Sequence, residues 1–200
     1  MKILGLDTSN KFLIICLMKD NQVVAYHQER AFKNQSEKIL PVMDQLFQQV
    51  GWKPVEIDQI VITDGPGSYT GVRIAMTIAK IMSTMRNIPL YTISSLLFYA
   101  GKNHHKVVLD ARGGRAYFSE YQNGIVVQPD QIVLVDDLKE DFEKNSSEYL
   151  GDLNIFEQEE YYLDFKNNFV DLKEQWKVVE DVHHLKPNYL KDQEAYMVQK

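Results

Sequence analysis

Apolar residues in the first thirty positions fall into three short runs separated by polar turns, a pattern that predicts three consecutive β-strands. In the next segment apolar residues recur every three or four positions, as they do along one face of an α-helix. Two further strand–helix pairs follow. The predicted strands are 2–8, 12–18, 22–30, 60–63 and 90–93, and the predicted helices are 36–50, 72–85 and 94–101. The order βββαβαβα predicts an α/β fold.

A second set of strands begins about a hundred residues after the first. Because it repeats the βββ start of the chain, we predict two structurally related lobes, residues 1–101 and residues 102–200. The second lobe is expected to be shortened, since residues 136–174 hold nearly half of the 28 acidic residues and show weak periodicity. The apolar runs of the second set lie at 107–109, 116–118 and 124–135.

Composition narrows the class of protein. The net charge is −6, so no overall basic field attracts nucleic acid, and RNA contacts are expected to run mainly through other proteins. The single cysteine, Cys16, excludes a disulfide framework and fits a reducing compartment. No apolar run reaches the roughly 18 residues that span a membrane, and the start of the sequence does not resemble a signal peptide. We therefore expect a soluble, cytoplasmic protein.

A glycine-rich turn lies between the strand at 60–63 and the helix at 72–85. Its glycines let the backbone approach another group closely, and Ser68 or Thr70 can cap the helix. The N–H groups at the helix start could bind an anion, but the turn matches neither a Walker loop nor a dinucleotide fingerprint. Phosphate binding and tight strand-to-helix packing both stay open as interpretations. The candidate residues are Gly65, Pro66, Gly67, Ser68, Tyr69, Thr70, Gly71 and Arg73.

The string from Gly65 to Ile74 closely resembles the Gly-Pro-Gly-Ser-aromatic-Thr-Gly-hydrophobic-Arg-Ile signature of the TsaB (YeaZ) family. The resemblance is strong over residues 1–125, sparse over 126–185 and returns briefly near the C-terminus. Other segments resemble the family in the same order along the chain. They are Leu6-Asp7-Thr8-Ser9, Gln35-Ser36-Glu37-Lys38-Ile39-Leu40-Pro41, Asp110-Ala111-Arg112-Gly113-Gly114-Arg115-Ala116-Tyr117 and Pro187-Asn188-Tyr189-Leu190-Lys191.

The resemblance implies the two-lobed fold shared by actin, Hsp70, acetate kinase and sugar kinases, with ribonuclease H-like lobes. It also implies a non-catalytic relative of the transferase TsaD. Such a subunit is expected to bind TsaD as a heterodimer, to form a homodimer when alone, and to work with the ATPase TsaE. Together these proteins move a threonylcarbamoyl group from its adenylate onto the adenosine beside the tRNA anticodon. Contact with tRNA is expected only through the complex, and no membrane is involved.

We expect no catalytic residue and no metal site in this chain. The resemblance implies that catalytic relatives carry a His-x-x-x-His metal motif, in which both side chains share one helix face. Gln35 stands where the family usually has a histidine. The five histidines of this chain, none of which lies four positions from another, are His27, His104, His105, His183 and His184.

Three aspartates each end a predicted strand. With Thr8 and Ser9, the side chains of Asp7, Asp64 and Asp110 could line a vestigial nucleotide site in the cleft between the lobes. The alternative is that they cap turns. We expect no cofactor, with ATP and Mg²⁺ at the inter-lobe cleft or a complex interface as the open alternative. The matching alternative functions are an ATP-binding kinase or ATPase acting on a small molecule, a metallopeptidase, and a structural homodimer unrelated to RNA.

The helix at 72–85 carries two apolar stripes, which is more than one sheet can cover. We predict that this helix and the one before it form the surface that binds TsaD or a second copy of the chain. A competing interpretation is that the second lobe or the C-terminal segment covers the extra stripe. The predicted interface residues are Leu40, Met43, Phe47, Val72, Ala75, Met76, Ala79 and Met82.

Overall fold

Two β-sheets form the framework of the protein, whose computed structural model describes residues 1–159 and 163–190. The strands are β1 (Lys2–Asp7), β2 (Phe12–Lys19), β3 (Gln22–Arg30), β4 (Gln59–Thr63), β5 (Leu90–Ile93), β6 (His105–Arg112), β7 (Arg115–Gln122), β8 (Ile125–Leu134), β9 (Tyr149–Gly151) and β10 (Lys177–Val178). The α-helices are α1 (Gln35–Val50), α2 (Tyr69–Arg86), α3 (Ser95–Ala100), α4 (Val135–Asn145) and α5 (Asn168–Asp171). Short 3-10 helices lie at Pro54–Glu56, Ser146–Glu148, Leu153–Phe156 and Lys173–Gln175.

The two sheets repeat one pattern of strand pairing. The first sheet has the order β10-β5-β4-β1-β2-β3, and the second has the order β8-β7-β6-β9. Strand β1 pairs antiparallel with β2 and parallel with β4. Strand β6 pairs in the same way, antiparallel with β7 and parallel with β9. The βββαβ unit is therefore built twice, which confirms the predicted repeat and the two-lobed α/β fold.

Every strand and helix predicted in the first hundred residues is present, with shifted ends. Helix α1 begins at Gln35, one residue before the predicted start, and ends as predicted before Gly51, which adopts a left-handed backbone (φ 68°). Helices α4 and α5 were not predicted, because the region that contains them was expected to be irregular. Among the described residues, no helix is both long and apolar enough to cross a bilayer.

Apolar side chains are buried in three layers of core. One layer lies between the first sheet and helices α1 and α2. The second fills the space between the two sheets around α3 and α5, and the third lies between the second sheet and α4. Strand β2 is buried at seven of its eight positions because the first sheet is covered on both faces.

The end of the described chain returns to the first lobe, which corrects the assignment of all of residues 102–200 to the second. The Phe169 ring packs so closely beneath β1 that a Cβ atom on Gly5 would lie 2.7 Å from it. Strand β10 pairs with β5, and the N–H of Val179 donates to the carbonyl of Leu90 (2.9 Å). This segment returns because the first sheet offers an apolar face and an unpaired β5 edge. The boundary at residue 101 stays a prediction.

Candidate functional site

The glycine-rich turn connects β4 to α2 and packs against the turn between β1 and β2. Ser68 is the N-cap of α2, and its hydroxyl accepts a hydrogen bond from the N–H of Gly71 (3.2 Å). The N–H of Ser68 donates to the carbonyl of Ser9 (2.7 Å), and the N–H of Val72 donates to the carbonyl of Ser68 (2.9 Å). Two of the N–H groups that an anion at the helix start would need, those of Ser68 and Gly71, are therefore occupied, and Val72 makes the first regular bond of the helix.

Two glycines of this turn permit its closest backbone contacts. A Cβ atom on Gly67 would lie 2.2 Å from the carbonyl oxygen of Ser9, and one on Gly71 would lie 2.1 Å from that of Thr8. Both distances are far below van der Waals contact, so no side chain fits unless the β1–β2 turn moves. The turn is filled by neighbouring backbone, which favours the interpretation of tight packing over phosphate binding.

The hydroxyl of Thr8 fastens the β1–β2 turn to α2. Its Oγ1 donates to the carbonyl of Gly71 (2.6 Å) and accepts from the N–H of Ala75 (3.2 Å), and the residue is fully buried. Gly71 and Ala75 are the two residues that a regular i to i+4 helical hydrogen bond would join. Thr8 therefore uses its polar atom inside the protein, where it holds strand to helix.

Gln35 fastens the same turn to α1. The side chain is buried, and its Nε2 donates to the carbonyl oxygens of Asn10 (2.6 Å) and Phe12 (2.9 Å). An amide nitrogen surrounded by carbonyl oxygens is satisfied as a donor. The residue that stands in place of the family histidine thus supports the turn, a role that its sequence position alone did not reveal.

Two of the three candidate aspartates cap equivalent turns in the two lobes. Asp7 Oδ1 accepts from the N–H of Ser9 (2.9 Å) and from the hydroxyl of Thr63, and Asp110 Oδ1 accepts from the N–H of Arg112 (2.7 Å). In both cases the donor is the backbone N–H of the residue two positions after the aspartate, as in an Asx turn. Asp110 is exposed, whereas burial raises the pKa of the Asp7 carboxyl above its ordinary range.

Asp64, the third aspartate, lies apart from this pair at the end of β4. Burial raises the pKa of its carboxyl to about 6, although a hydrogen bond from Thr92 and the charge of Lys177 act to lower it. The carboxylate of Asp130 adds to the rise. The three candidate aspartates therefore have separate partners.

Replacing Asp64 by asparagine is expected to flatten the pH dependence of stability. The folded-state pKa of about 6 lies above the ordinary value of 3.8, so the native state binds the proton more tightly. The free energy of unfolding of the wild-type chain should therefore fall as pH rises from about 4 to 6. The expected loss is on the order of 3 kcal/mol, at about 1.4 kcal/mol per pH unit. Urea unfolding of both proteins at pH 4.5 and 7.5 measures this, and parallel profiles would contradict it.

Asp152, which sequence reasoning missed, connects the two lobes. This buried carboxylate accepts from Lys11 Nζ (2.8 Å) and from Asn10 Nδ2 (3.0 Å), both on the β1–β2 turn of the first lobe. It also accepts from the backbone N–H of Asp110 in the second lobe (2.8 Å). Its partners are distant in sequence, so no local pattern marks it. In residues 1–159 and 163–190, no three His, Cys, Asp or Glu side chains group as metal ligands.

Most of the predicted interface residues are buried inside the first lobe, so for them the prediction was wrong. Two of them lie on α1, and the other four form the stripe of α2 that faces the sheet, where the alanines let the helix lie close to the strands. Of the other two predicted residues, Leu40 is 60% exposed and Met82 is half-buried. The six buried residues are Met43, Phe47, Val72, Ala75, Met76 and Ala79.

Within residues 1–159 and 163–190, the opposite stripe of α2 is the more exposed one. Ile81 is 53% exposed and Met85 is 80% exposed. The C-terminal segment contacts α2 elsewhere, where Lys80 Nζ donates to the carbonyls of His183 (2.9 Å) and Leu185 (3.1 Å). Beside the stripe, a groove of about 530 Å³ runs between α1 and α2, and its apolar lining is Ile39, Leu40, Ile74 and Ile78.

The last described residues return to the glycine-rich turn. The N–H of Asn188 donates to the carbonyl of Asp64 (2.7 Å). The ring of Tyr189 stacks on that of Tyr69, with centroids 5.1 Å apart. Two segments that resemble the TsaB family and lie more than a hundred residues apart in the sequence are thus in contact, although Lys191 of the second lies outside the described residues.

Comparison with known proteins finds a matching family model and similar curated proteins. The family model described as TsaD: tRNA N6-adenosine threonylcarbamoyltransferase matches residues 23–157. The tRNA threonylcarbamoyladenosine biosynthesis protein TsaB of Bacillus subtilis is 37% identical over 146 residues, 68% of this chain and 64% of that protein. The protein of the same name from Escherichia coli is 32% identical over 135 residues, 62% of this chain and 58% of that protein. The match thus spans about three-fifths of the length of these relatives.

A solved structure shows the same fold. A Pseudomonas aeruginosa protein described as similar to the peptidase YeaZ superposes with a TM-score of 0.75 at 21% sequence identity. The match covers 95% of this chain and 99% of that one. The curated relatives are named for biosynthesis of a modified tRNA nucleoside, and they do not favour a small-molecule kinase. The chain belongs to the TsaD-related family, in its TsaB (YeaZ) branch.

Proposed function

We propose that this chain is a non-catalytic partner subunit in the synthesis of threonylcarbamoyladenosine in tRNA. In this role it binds the transferase TsaD, works alongside TsaE in the cytoplasm, and meets tRNA through the complex. The observation that carries the proposal is the apolar surface of α1 and α2 that the rest of the described chain leaves exposed. Exposed apolar stripes of this kind are typical of surfaces that bind another protein. The same surface would form a homodimer when TsaD is absent.

The packing of the glycine-rich turn supports a non-catalytic role. Its glycines admit the backbone of Thr8 and Ser9, and both Thr8 and Gln35 use their polar atoms to hold this packing. We therefore propose that the turn positions α2 and binds no ATP or Mg²⁺. In this view chemistry resides in TsaD, and the contribution of this chain is the surface that it presents.

Replacing Ile81 by glutamate is expected to weaken binding to TsaD at least about 100-fold while the chain stays folded. Ile81 is 53% exposed in the isolated chain, so the carboxylate is hydrated there but would be buried without a partner in the complex. Calorimetry with purified TsaD measures the Kd. Mass analysis of tRNA nucleosides, in cells depleted of the chain and supplied with the variant, measures the modification.

The matched control is Ile125→Glu, at a 66% exposed residue on β8 of the second lobe. This control should bind TsaD and restore the modified nucleoside as the wild type does. The proposal fails if the wild-type chain does not bind TsaD, or if depletion leaves threonylcarbamoyladenosine in tRNA unchanged. An isolated chain that carries out the transfer unaided would refute the non-catalytic role.

A further inference from the structure

A stack of three side chains stands at one end of the α1–α2 groove. Tyr69 is 46% exposed, and its ring lies on that of Tyr189 at an interplanar angle of 18°. The guanidinium carbon of Arg73 lies 5.1 Å from the centroid of the Tyr69 ring, and Arg73 Nη1 donates to the Tyr69 hydroxyl (2.6 Å). Tyr69 and Arg73 both line the groove. The C-terminal segment thus contributes Tyr189 to the support of a groove built by α1 and α2.

The stack fixes the cation of Arg73 without neutralising it. A guanidinium has five N–H donors, and one of them is used on the Tyr69 hydroxyl. Among the described residues, Arg73 pairs with no carboxylate. Contact with an aromatic ring leaves the edge of the guanidinium open for a bidentate carboxylate. Because the side chain is already ordered, a partner loses less conformational entropy in binding it.

The charge and shape of this surface define what fits it. Besides Arg73 and Tyr69, the groove is lined by apolar side chains and three hydroxyls, and beyond it lies the exposed stripe of α2. The apolar residues are Ile39, Leu40, Ile74 and Ile78, and the hydroxyls belong to Ser36, Thr70 and Thr77. We infer that Arg73 is the polar anchor of the docking surface and receives a carboxylate from a TsaD segment whose apolar side chains fill the groove. This inference rests on the proposed function and assigns the specificity-determining contact within it. Tyr189 is a positioning residue, since it acts through Tyr69.

Reversing the charge of Arg73 tests the anchor. Arg73→Glu should raise the Kd for TsaD at least 100-fold, and Arg73→Lys about tenfold, because lysine cannot make the bidentate contact. Lys139→Glu, on α4 of the second lobe, is the matched charge control and should bind as the wild type does. In the Arg73→Glu background, changing single acidic residues of TsaD to arginine should restore binding at one position. Circular dichroism and thermal unfolding establish that each variant is folded.

Variants of Tyr189 test the anchor a second time and independently. Tyr189→Ala should weaken TsaD binding about three- to tenfold, whereas Tyr189→Phe keeps the ring and should bind normally. The inference is overturned if wild-type chain binds TsaD and Arg73→Glu binds within threefold of it, or if Arg73→Glu alters self-association alone. Absence of TsaD binding by the wild-type chain would instead refute the proposed function and the anchor with it.

Discussion

Glutamate in place of Met76 is expected to unfold the chain at neutral pH. Met76 is 4% exposed and lies in the core between α2 and the first sheet, where a carboxylate finds no partner. Burying an unpaired charge is among the changes that cost more than about 4 kcal/mol. Such a loss removes most of the stability of a domain at the low end of the usual range of roughly 5–15 kcal/mol. Urea unfolding with circular dichroism detection measures the change.

The control lies on the other stripe of the same helix. Ile81→Glu exposes its carboxylate to water and should alter stability by about 0.5 kcal/mol or less. Helix propensity cannot account for the contrast, because the same residue is introduced in the same helix. Wild-type stability of Met76→Glu would mean that Met76 is not a core residue, and if Ile81→Glu were the unfolded variant, the assignment of the two stripes would have to be reversed.

These two positions show where sequence reasoning stops. The repeat of apolar residues in α2 predicted a helix with two apolar stripes, and the structure has both. Periodicity gives the angle between the stripes but not which of them faces the sheet. Ala75 and Ala79 are compatible with packing on strands or on a partner helix. Which stripe faces the sheet depends on the rotation of α2 about its axis where it follows the glycine-rich turn, and tertiary contacts set that rotation.

Non-local contacts explain the other differences. Strands β1 to β8 could be predicted because alternation and turn residues act within a few positions, whereas the three-residue strand β9 was not predicted. Strand β10 has two residues and exists because the edge of β5 accepts it. Asp152 accepts hydrogen bonds from residues of both lobes that lie more than 40 positions away in the sequence. The ring of Tyr189 stacks on that of Tyr69, which is also distant in sequence. Such pairings leave no trace in a window of ten or twenty residues.

The glycine-rich turn is where sequence and structure agree most closely, and it gives a second prediction of large effect. Gly71→Ala is expected to destabilise the protein by about 3 kcal/mol, because the new methyl group would press on the carbonyl oxygen of Thr8 from 2.1 Å. Gly67→Ala should cost a similar amount against Ser9, where the distance is 2.2 Å. Chemical unfolding of each variant gives the free energy difference.

The sign of the effect at Gly71 decides between packing and open space. Alanine is the better helix former by up to about 1 kcal/mol, so a Gly71→Ala exchange in the first turn of α2 would stabilise a helix with room around it. Gly51→Ala is the control, since nothing lies within 4 Å of the added carbon and only its left-handed backbone, at φ 68°, opposes the change. That control should cost about 1 kcal/mol. A stabilised Gly71→Ala variant would mean that the turn has space for a ligand, and the case for a purely structural signature would be lost.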